Sequence, residues 1–179
     1  AYGERVKVVS YDALSQNAIR KANEQTFGKS MIPDYDFSKA KTIVSVAADF
    51  MNDWLLHTQN TSQYIQRRKP DGDWMSRHYQ FETTLSLTGS NADERGSIKP
   101  SDEGRVLLAL HNQIAGMMGG SAVQVNTDGL PNELIAKAAK DLYANRGESL
   151  VVAGCNDSDL QTVTNGINQM LGNYGSTIR

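Results

Sequence analysis

Metal-binding and thiol residues are scarce in this sequence. Among 179 residues there is one cysteine, Cys155, and there are three histidines, at positions 57, 78 and 111. A lone cysteine excludes an intrachain disulfide and any four-cysteine zinc or iron–sulfur centre built by this chain alone. The histidines lie far apart without a ligand-type spacing, so we expect packing or surface roles and no metal site. Cys155 lies in a loop between a predicted strand and a predicted helix, where a small buried residue is favoured over a reactive thiol activated by the helix N-terminus.

Long apolar runs and the common nucleotide and hydrolase motifs are also missing. No apolar stretch approaches the roughly 20 residues that cross a bilayer. There is no phosphate loop, no G-x-G-x-x-G after a strand and no G-x-S-x-G elbow. The charges nearly balance, with 18 basic and 20 acidic residues. No basic stripe is interleaved with aromatic residues, so the sequence does not predict a nucleic-acid partner.

What the sequence does contain is an alternation of strand-type and helix-type segments. Apolar or alternating runs predict strands over residues 6–11, 42–46, 79–87, 97–99 and 150–153. Periodic segments with capping residues predict helices over residues 15–27, 52–68, 101–118, 128–146 and 159–171. This alternation is typical of an α/β fold with three layers, a mostly parallel sheet carrying helices on both faces. The length fits one domain, and the start at Ala1-Tyr2 indicates a fragment of a larger protein.

Ligands of open α/β sheets bind at the carboxyl ends of the strands, which directs attention to three loops. These are residues 47–52, residues 87–93 together with 100–103, and residues 154–157. Acidic residues begin the helices that follow, and carboxylates there either cap backbone N–H groups or accept hydrogen bonds from a nucleotide. Local sequence favours capping.

Aromatic residues concentrate in one third of the chain. They are accompanied by a methionine and an arginine, and the group comprises Trp54, Tyr64, Trp74, Met75, Arg77, Tyr79 and Phe81. Such residues either form a core or bury against a neighbouring domain, because they are also enriched at interface centres. The sequence leaves these two interpretations open.

Several segments, taken in order, resemble the molybdopterin oxidoreductases. The segment FGKSMIPDYDFSKAKTIVSVAADFMNDWLL is similar to that family's helix, Pro-Asp loop and strand ending in Gly-Ala-Asp-Phe-Leu. HYQFETTLSLTGSNADERGSIKPSDEG resembles its next segment, and SLVVAGCND and INQMLGNYGSTI resemble the strand, helix and turn that follow. The resemblance covers nearly the whole chain. It is strongest to the molybdopterin-oxidoreductase-like half of the iron–sulfur subunit of alternative complex III, a bacterial quinol:cytochrome c oxidoreductase.

That resemblance implies a fold of the formate dehydrogenase/DMSO reductase type and a place in a membrane-associated respiratory complex on the periplasmic side. Iron–sulfur clusters are then expected only in another domain of the parent chain, and the partners are that chain's other domains and the subunits of the complex. In this half of the family the cofactor is regarded as lost, and the domain acts as a scaffold. The alternative is the cofactor-binding domain of an active oxidoreductase that uses molybdopterin guanine dinucleotide.

The resemblance also implies which residues occupy the positions of the family's cofactor pocket. If the domain is a scaffold, that pocket is vacant. The pocket residues are Asp49, Phe50, Ser86, Thr88, Asp93, Ser101 and Glu103. Two motif positions depart from the family: Ala47 stands where glycine is expected, and Ser101-Asp102 stands where Gly-Thr is expected. A Cβ obstructs close backbone approach, and an added carboxylate repels a pyrophosphate. Both departures favour a domain without cofactor, whereas Asp49 and Glu103 are retained.

Overall fold

A computed structural model describes residues 3–9, 11 and 14–179 of the chain. The first predicted strand, over residues 6–11, is wrong for the residues described. Val6–Val9 and Tyr11 are exposed and lie outside the sheet, and residue 10 lies outside the described part. An apolar run without a neighbouring strand has no partner for its backbone groups, so β propensity alone did not produce a strand here.

The centre of the fold is a parallel sheet of four strands. The strands are β1 (Thr42–Val46), β2 (Arg77–Glu82), β3 (Glu94–Ser97) and β4 (Ser149–Ala153). Their order across the sheet is β3-β2-β1-β4, and each neighbouring pair is parallel. All five residues of β1 and of β4 are buried, as the continuous apolar runs predict for strands covered on both faces.

In the part of the chain that the structure describes, six α-helices connect and cover the strands. They are α1 (Asn17–Phe27), α2 (His57–Gln66), α3 (Leu87–Ser90), α4 (Glu103–Met117), α5 (Asn132–Ala144) and α6 (Ser158–Met170). The predicted α/β class with a parallel sheet between helical layers is thereby confirmed. None of the helices in the described part is long and apolar enough to cross a membrane.

Two apolar cores lie on the two faces of the sheet. On one face Val44, Phe81 and Val151 pack with α4, α5 and the end of α6. On the other face Ile43 and Leu150 pack with Phe37, Phe50 and Trp54. The strict alternation along β1 and β4 places neighbouring residues in different cores.

The regions after β1 and β2 depart from the predicted boundaries. Helix α2 begins at His57 instead of residue 52, because the intervening loop includes Leu55 at φ +52°, a left-handed conformation that stops helix propagation. Strand β2 ends at Glu82, five residues early, and the predicted polar loop contains the short helix α3. Strand β3 begins at Glu94, three residues before its predicted start.

Candidate functional site

The candidate site lies at the carboxyl ends of the strands, at the point where the strand order reverses. Strands β2 and β3 follow β1 on one side and β4 lies on its other side, so the switch point is between β1 and β4. In open α/β sheets this is the position where ligands bind. The loops that border it here are residues 47–56 and 154–157.

The two loops are packed directly against each other at this point. The Gly154 amide donates to the carbonyl of Val46 at 2.8 Å, and a Cβ added to Gly154 would overlap the carbonyl oxygen of Ala47. Ala47 has φ +55°, a left-handed conformation that L-residues with a Cβ rarely adopt. The family resemblance places a glycine at position 47, and the backbone there has the conformation that glycine adopts without strain.

Asp49 and Thr88 are bonded to each other across the edge of the sheet. Asp49 Oδ1 accepts hydrogen bonds from the Thr88 hydroxyl at 2.6 Å and from the Thr88 amide at 3.1 Å. The Thr88 hydroxyl oxygen accepts from the Met51 amide at 3.0 Å, and Thr88 is fully buried. These contacts fasten the loop after β1 to the start of α3, so both nominated residues already have partners within the chain.

Ser86 caps α3 and contacts a buried carboxylate. Its hydroxyl oxygen accepts from the Gly89 amide at 2.9 Å and its proton goes to Glu82 Oε2 at 2.6 Å. Glu82 also accepts from Arg95 Nε at 2.6 Å. Burial opposes ionisation of Glu82, but the hydrogen bonds from Arg95 and Ser86 outweigh it and hold its pKa below the ordinary value. A Cβ on Gly89 would overlap the Glu82 carboxylate, which accounts for glycine at that position.

Phe50 is part of the core and is not available at the surface. It is completely buried, and its ring lies 4.4 Å from that of Phe37 and 5.4 Å from that of Tyr64, centroid to centroid. The role that the structure gives this residue is packing under the loop after β1.

Asp93 lies at the opposite edge of the sheet from the other nominated residues. It precedes β3, and its carboxylate accepts from the His78 amide at 2.7 Å, at the beginning of β2. Arg68 donates to both of its oxygens, at 2.7 and 2.9 Å. Burial opposes ionisation, but the Arg68 hydrogen bond and the His78 amide bring the pKa of Asp93 below its ordinary value. Asp93 therefore does not join Asp49, Ser86 and Thr88 in one pocket.

Ser101 and Glu103 lie after β3, where a short 3-10 turn (Pro100–Asp102) leads into α4. Ser101 is exposed, and burial raises the pKa of Glu103. Asp102 pairs with Arg105 Nη1 at 2.8 Å, and Arg105 also donates to two backbone carbonyls, those of residues 126 and 128. This edge thus offers carboxylates, and its arginine is already used by the protein. The negative charges of Asp102 and Glu103 oppose the binding of a pyrophosphate-bearing nucleotide at this turn.

Cys155 differs from the activated thiol that its position in a strand–helix loop allows. Burial raises the pKa of its thiol to about 11, and the nearby Glu103 carboxylate acts in the same direction. The thiol is partly buried and packs beside the core that contains α4 and α6. A helix N-terminus following the residue does not compensate for lost hydration here, so the sulfur is a packing atom at neutral pH.

Most of the aromatic residues that concentrate in one third of the chain belong to the core. Trp54, Tyr64, Tyr79 and Phe81 are buried on the two faces of the sheet. Trp74 is half-buried under the Arg67 guanidinium, which follows the end of α2 and lies 4.4 Å from the ring centroid. Among the residues described, no group of three or more His, Cys, Asp or Glu side chains is arranged to hold a metal ion.

Sequence reasoning missed the buried polar side chains of β2. His78 and Gln80 are completely buried and Glu82 nearly so, on the face of the sheet that carries Phe50. The strict alternation of His78, Gln80 and Glu82 with the core residues Tyr79 and Phe81 was the available signal. It was ambiguous because polar residues with this period ordinarily face water.

Comparison with known proteins finds no protein family whose sequence profile matches this chain and no curated protein that matches it.

Proposed function

We propose that this chain is a non-catalytic, molybdopterin-oxidoreductase-like domain of a respiratory quinol:electron-acceptor oxidoreductase, and that it acts as a scaffold without bound cofactor. The proposal that no cofactor is bound rests on the direct packing of Gly154 against the Ala47 carbonyl at the switch point. A ligand at this position needs a crevice between the two loops. Here their backbones meet at residues 47 and 154, which narrows the base of that crevice and supports a domain without bound cofactor.

The bonding of the nominated pocket residues supports the same proposal. Asp49 Oδ1 accepts two hydrogen bonds from Thr88, and the Ser86 hydroxyl bonds to Gly89 and Glu82. Phe50 is buried in the core and Asp93 lies at the other edge of the sheet. A cofactor would have to break these contacts, and each buried group left without a partner costs about 1–3 kcal/mol.

The identity of the parent protein follows from the resemblance stated above. We infer that the parent is membrane-associated on the periplasmic side through partner subunits, and that its iron–sulfur clusters are held by another domain. The scaffold would position that domain and contact neighbouring subunits.

One observation favours the second candidate, the cofactor-binding domain of an active molybdopterin guanine dinucleotide enzyme. The Glu103 carboxylate lies half-buried at the start of α4 and has no hydrogen-bond partner among the described residues. A carboxylate in that position could accept hydrogen bonds from a guanine amino group. The crowded switch point and the acidic turn at Asp102 weigh against this candidate.

The deciding experiment is the molybdenum, pterin and iron content of the full-length parent purified from its native membrane. We expect iron without stoichiometric molybdenum or releasable pterin. Molybdenum and pterin at one equivalent per chain would overturn the proposal and make this domain an enzyme module.

A matched pair of variants in the parent separates a scaffold from a catalytic role. Glu103→Gln and Glu148→Gln each remove one carboxylate, the first at the candidate site and the second at a surface pair with Lys41. We expect both to leave quinol oxidation per assembled complex unchanged. A loss confined to Glu103→Gln, with assembly intact, contradicts the scaffold and favours the second candidate.

A further inference from the structure

A continuous line of hydrogen-bonded side chains runs beneath the sheet from one edge to the other. Tyr64 Oη lies 3.1 Å from His78 Nδ1, and His78 Nε2 lies 3.3 Å from Gln80 Oε1. Gln80 Nε2 donates to Glu82 Oε2 at 3.1 Å. The line follows β2 from His78 to Glu82, which is four residue steps or roughly 13 Å at the rise of a strand. It connects the amino edge of the sheet to the candidate site at the carboxyl edge.

The charge of Glu82 determines the direction of the bond at that end of the line. Its Oε1 accepts from Arg95 Nε and from the Ser86 amide, which are donors without any acceptor capacity. Ser86 Oγ accepts from the Gly89 amide and donates its own proton to Glu82 Oε2. Both carboxylate oxygens therefore accept, and Glu82 is ionised.

Each side chain farther along the line can then orient its hydrogen bonds in only one way. Gln80 must present its NH₂ group to the carboxylate, and its carbonyl oxygen therefore faces His78 Nε2. A carbonyl only accepts, so Nε2 of a neutral His78 carries the proton and Nδ1 is left as an acceptor. Tyr64 must then turn its hydroxyl proton toward Nδ1.

The backbone at the far end accommodates this arrangement. The Tyr64 hydroxyl also lies 2.9 Å from the carbonyl oxygen of Asn91, which competes for the same proton. Arg68 Nη2 lies 3.3 Å from that carbonyl and can satisfy it. The Tyr64 proton is thus free to serve His78.

We propose that these four side chains form a polarity switch, in which the charge of Glu82 selects the His78 tautomer and the direction of the Tyr64 hydroxyl. The isosteric change Glu82→Gln reverses it. Arg95 and the Ser86 amide hold the carbonyl oxygen of Gln at the Oε1 position, so its NH₂ group faces Gln80 and the Ser86 hydroxyl. The second lone pair of Ser86 Oγ accepts from that NH₂ group, and the Ser86 proton turns away. Gln80 then turns over, its own NH₂ group faces His78 Nε2, and the proton of His78 moves to Nδ1. Tyr64 finally donates to Asn91.

The experiment is nitrogen-detected NMR of the imidazole of His78 at pH 7, assigned by loss of its signals in His78→Gln. We expect the Nε2–H tautomer in the unaltered chain and the Nδ1–H tautomer in Glu82→Gln. The control is Glu94→Gln, which removes a carboxylate of β3 that pairs with Lys137 and Arg77 and does not contact the line. It should leave the Nε2–H tautomer in place.

Two results overturn the proposal. One is an Nδ1–H tautomer in the unaltered chain, a measurement that needs no variant to fold. The other is a folded Glu82→Gln protein that keeps the Nε2–H tautomer. If Glu82→Gln does not fold, Gln80→Met tests the same link. Removal of the amide leaves Nε2 without an acceptor, so His78 should shift to Nδ1–H and donate to Tyr64. Persistence of Nε2–H in that variant also contradicts the switch.

Discussion

The side-chain amide of Asn168 bonds to both backbone groups of Val151, as a neighbouring strand would. The Val151 amide donates to Asn168 Oδ1 at 3.0 Å, and Asn168 Nδ2 donates to the Val151 carbonyl at 2.8 Å. Two more outward-facing carbonyls of β4 are satisfied by side chains: that of Ser149 by Thr177 and that of Ala153 by Gln161. This edge of the sheet is thereby closed to pairing with another chain, a protection that edge strands need.

Replacement of Asn168 by alanine should destabilise the fold strongly. It leaves two buried backbone groups of Val151 without partners, and we expect the free energy of unfolding to fall by about 2–4 kcal/mol in urea denaturation. The matched control is Asn112→Ala. Asn112 makes the same two bonds with the backbone of Val123, at 2.7 and 2.8 Å, but on an exposed surface. Water replaces those bonds, so its loss should be under about 1 kcal/mol, and equal losses would contradict this account.

Glycine at position 47 should stabilise the protein. Ala47 adopts φ +55°, which costs an L-residue about 1–2 kcal/mol, while glycine adds an unfolded-state entropy cost of about 0.5–1 kcal/mol. The net expectation for Ala47→Gly is a gain of up to about 1.5 kcal/mol in the free energy of unfolding. Its neighbour Ala48 is buried without a left-handed backbone, so Ala48→Gly should lower stability. A loss on Ala47→Gly would mean that the methyl group makes contacts worth more than the strain.

A methyl group at position 154 should be far more disruptive than one at position 166. The Cβ of Gly154→Ala would overlap the Ala47 carbonyl, which is backbone and cannot rotate away. We expect a loss of at least about 2 kcal/mol, in the range of overpacked sites. Gly166 lies inside α6 with open space at its Cβ position. Gly166→Ala should therefore stabilise by about 0.5–1 kcal/mol, the helix-propensity difference. Thermal or urea unfolding of both variants measures the contrast.

The sequence predicted the sheet well where a strand is apolar on both faces. The strand Thr42–Val46 was predicted with its observed bounds. The strand Ser149–Ala153 was predicted over residues 150–153, one residue short at its start. The prediction failed where a distant partner decides the structure. Strand β2 ends early because the Glu82 carboxylate turns the chain at Ser86, and Arg95, which neutralises it, comes from another strand.

At the candidate site, too, the sequence predicted the local features but not the contacts between distant residues. The sequence placed the three loops at the carboxyl edge, and Asp49, Ser86 and Thr88 do meet there. Asp93, nominated from the loop after β2, lies instead at the beginning of β2 and β3, because residues 83–93 lead the chain back to the start of β3. The bonds that occupy these side chains are long-range pairs that local patterns do not reveal.

Stability should fall as the pH drops from about 6.5 to 4 because of His78. Burial lowers its pKa from 6.5 to about 4, so the unfolded chain binds the proton more readily than the folded one. The stability that comes from keeping His78 neutral is fully present above pH 6.5. It is lost as the pH falls from 6.5 to about 4, at up to about 1.4 kcal/mol per pH unit and about 3 kcal/mol in all. Urea unfolding of the unaltered chain and of His78→Gln across this range isolates the effect. The difference in free energy of unfolding between the two proteins should shrink as the pH falls, and a constant difference would contradict the assignment.

Alkylation of Cys155 by iodoacetamide should be slow in the folded protein. Its pKa of about 11 leaves only about one thiol in a thousand ionised at pH 8, whereas an unperturbed thiol of pKa about 8.5 is roughly one quarter ionised. Because the thiolate is the reacting species, the folded protein should react roughly 250-fold more slowly than the same chain in concentrated urea. Glu103→Gln removes a negative charge that raises this pKa, so it should speed the reaction of the folded protein. The matched control is Glu148→Gln. Glu148 pairs with Lys41 at the other end of β4, so its replacement should leave the alkylation rate unchanged. Rapid alkylation of the folded protein would indicate an activated thiol and reverse the role assigned to this residue.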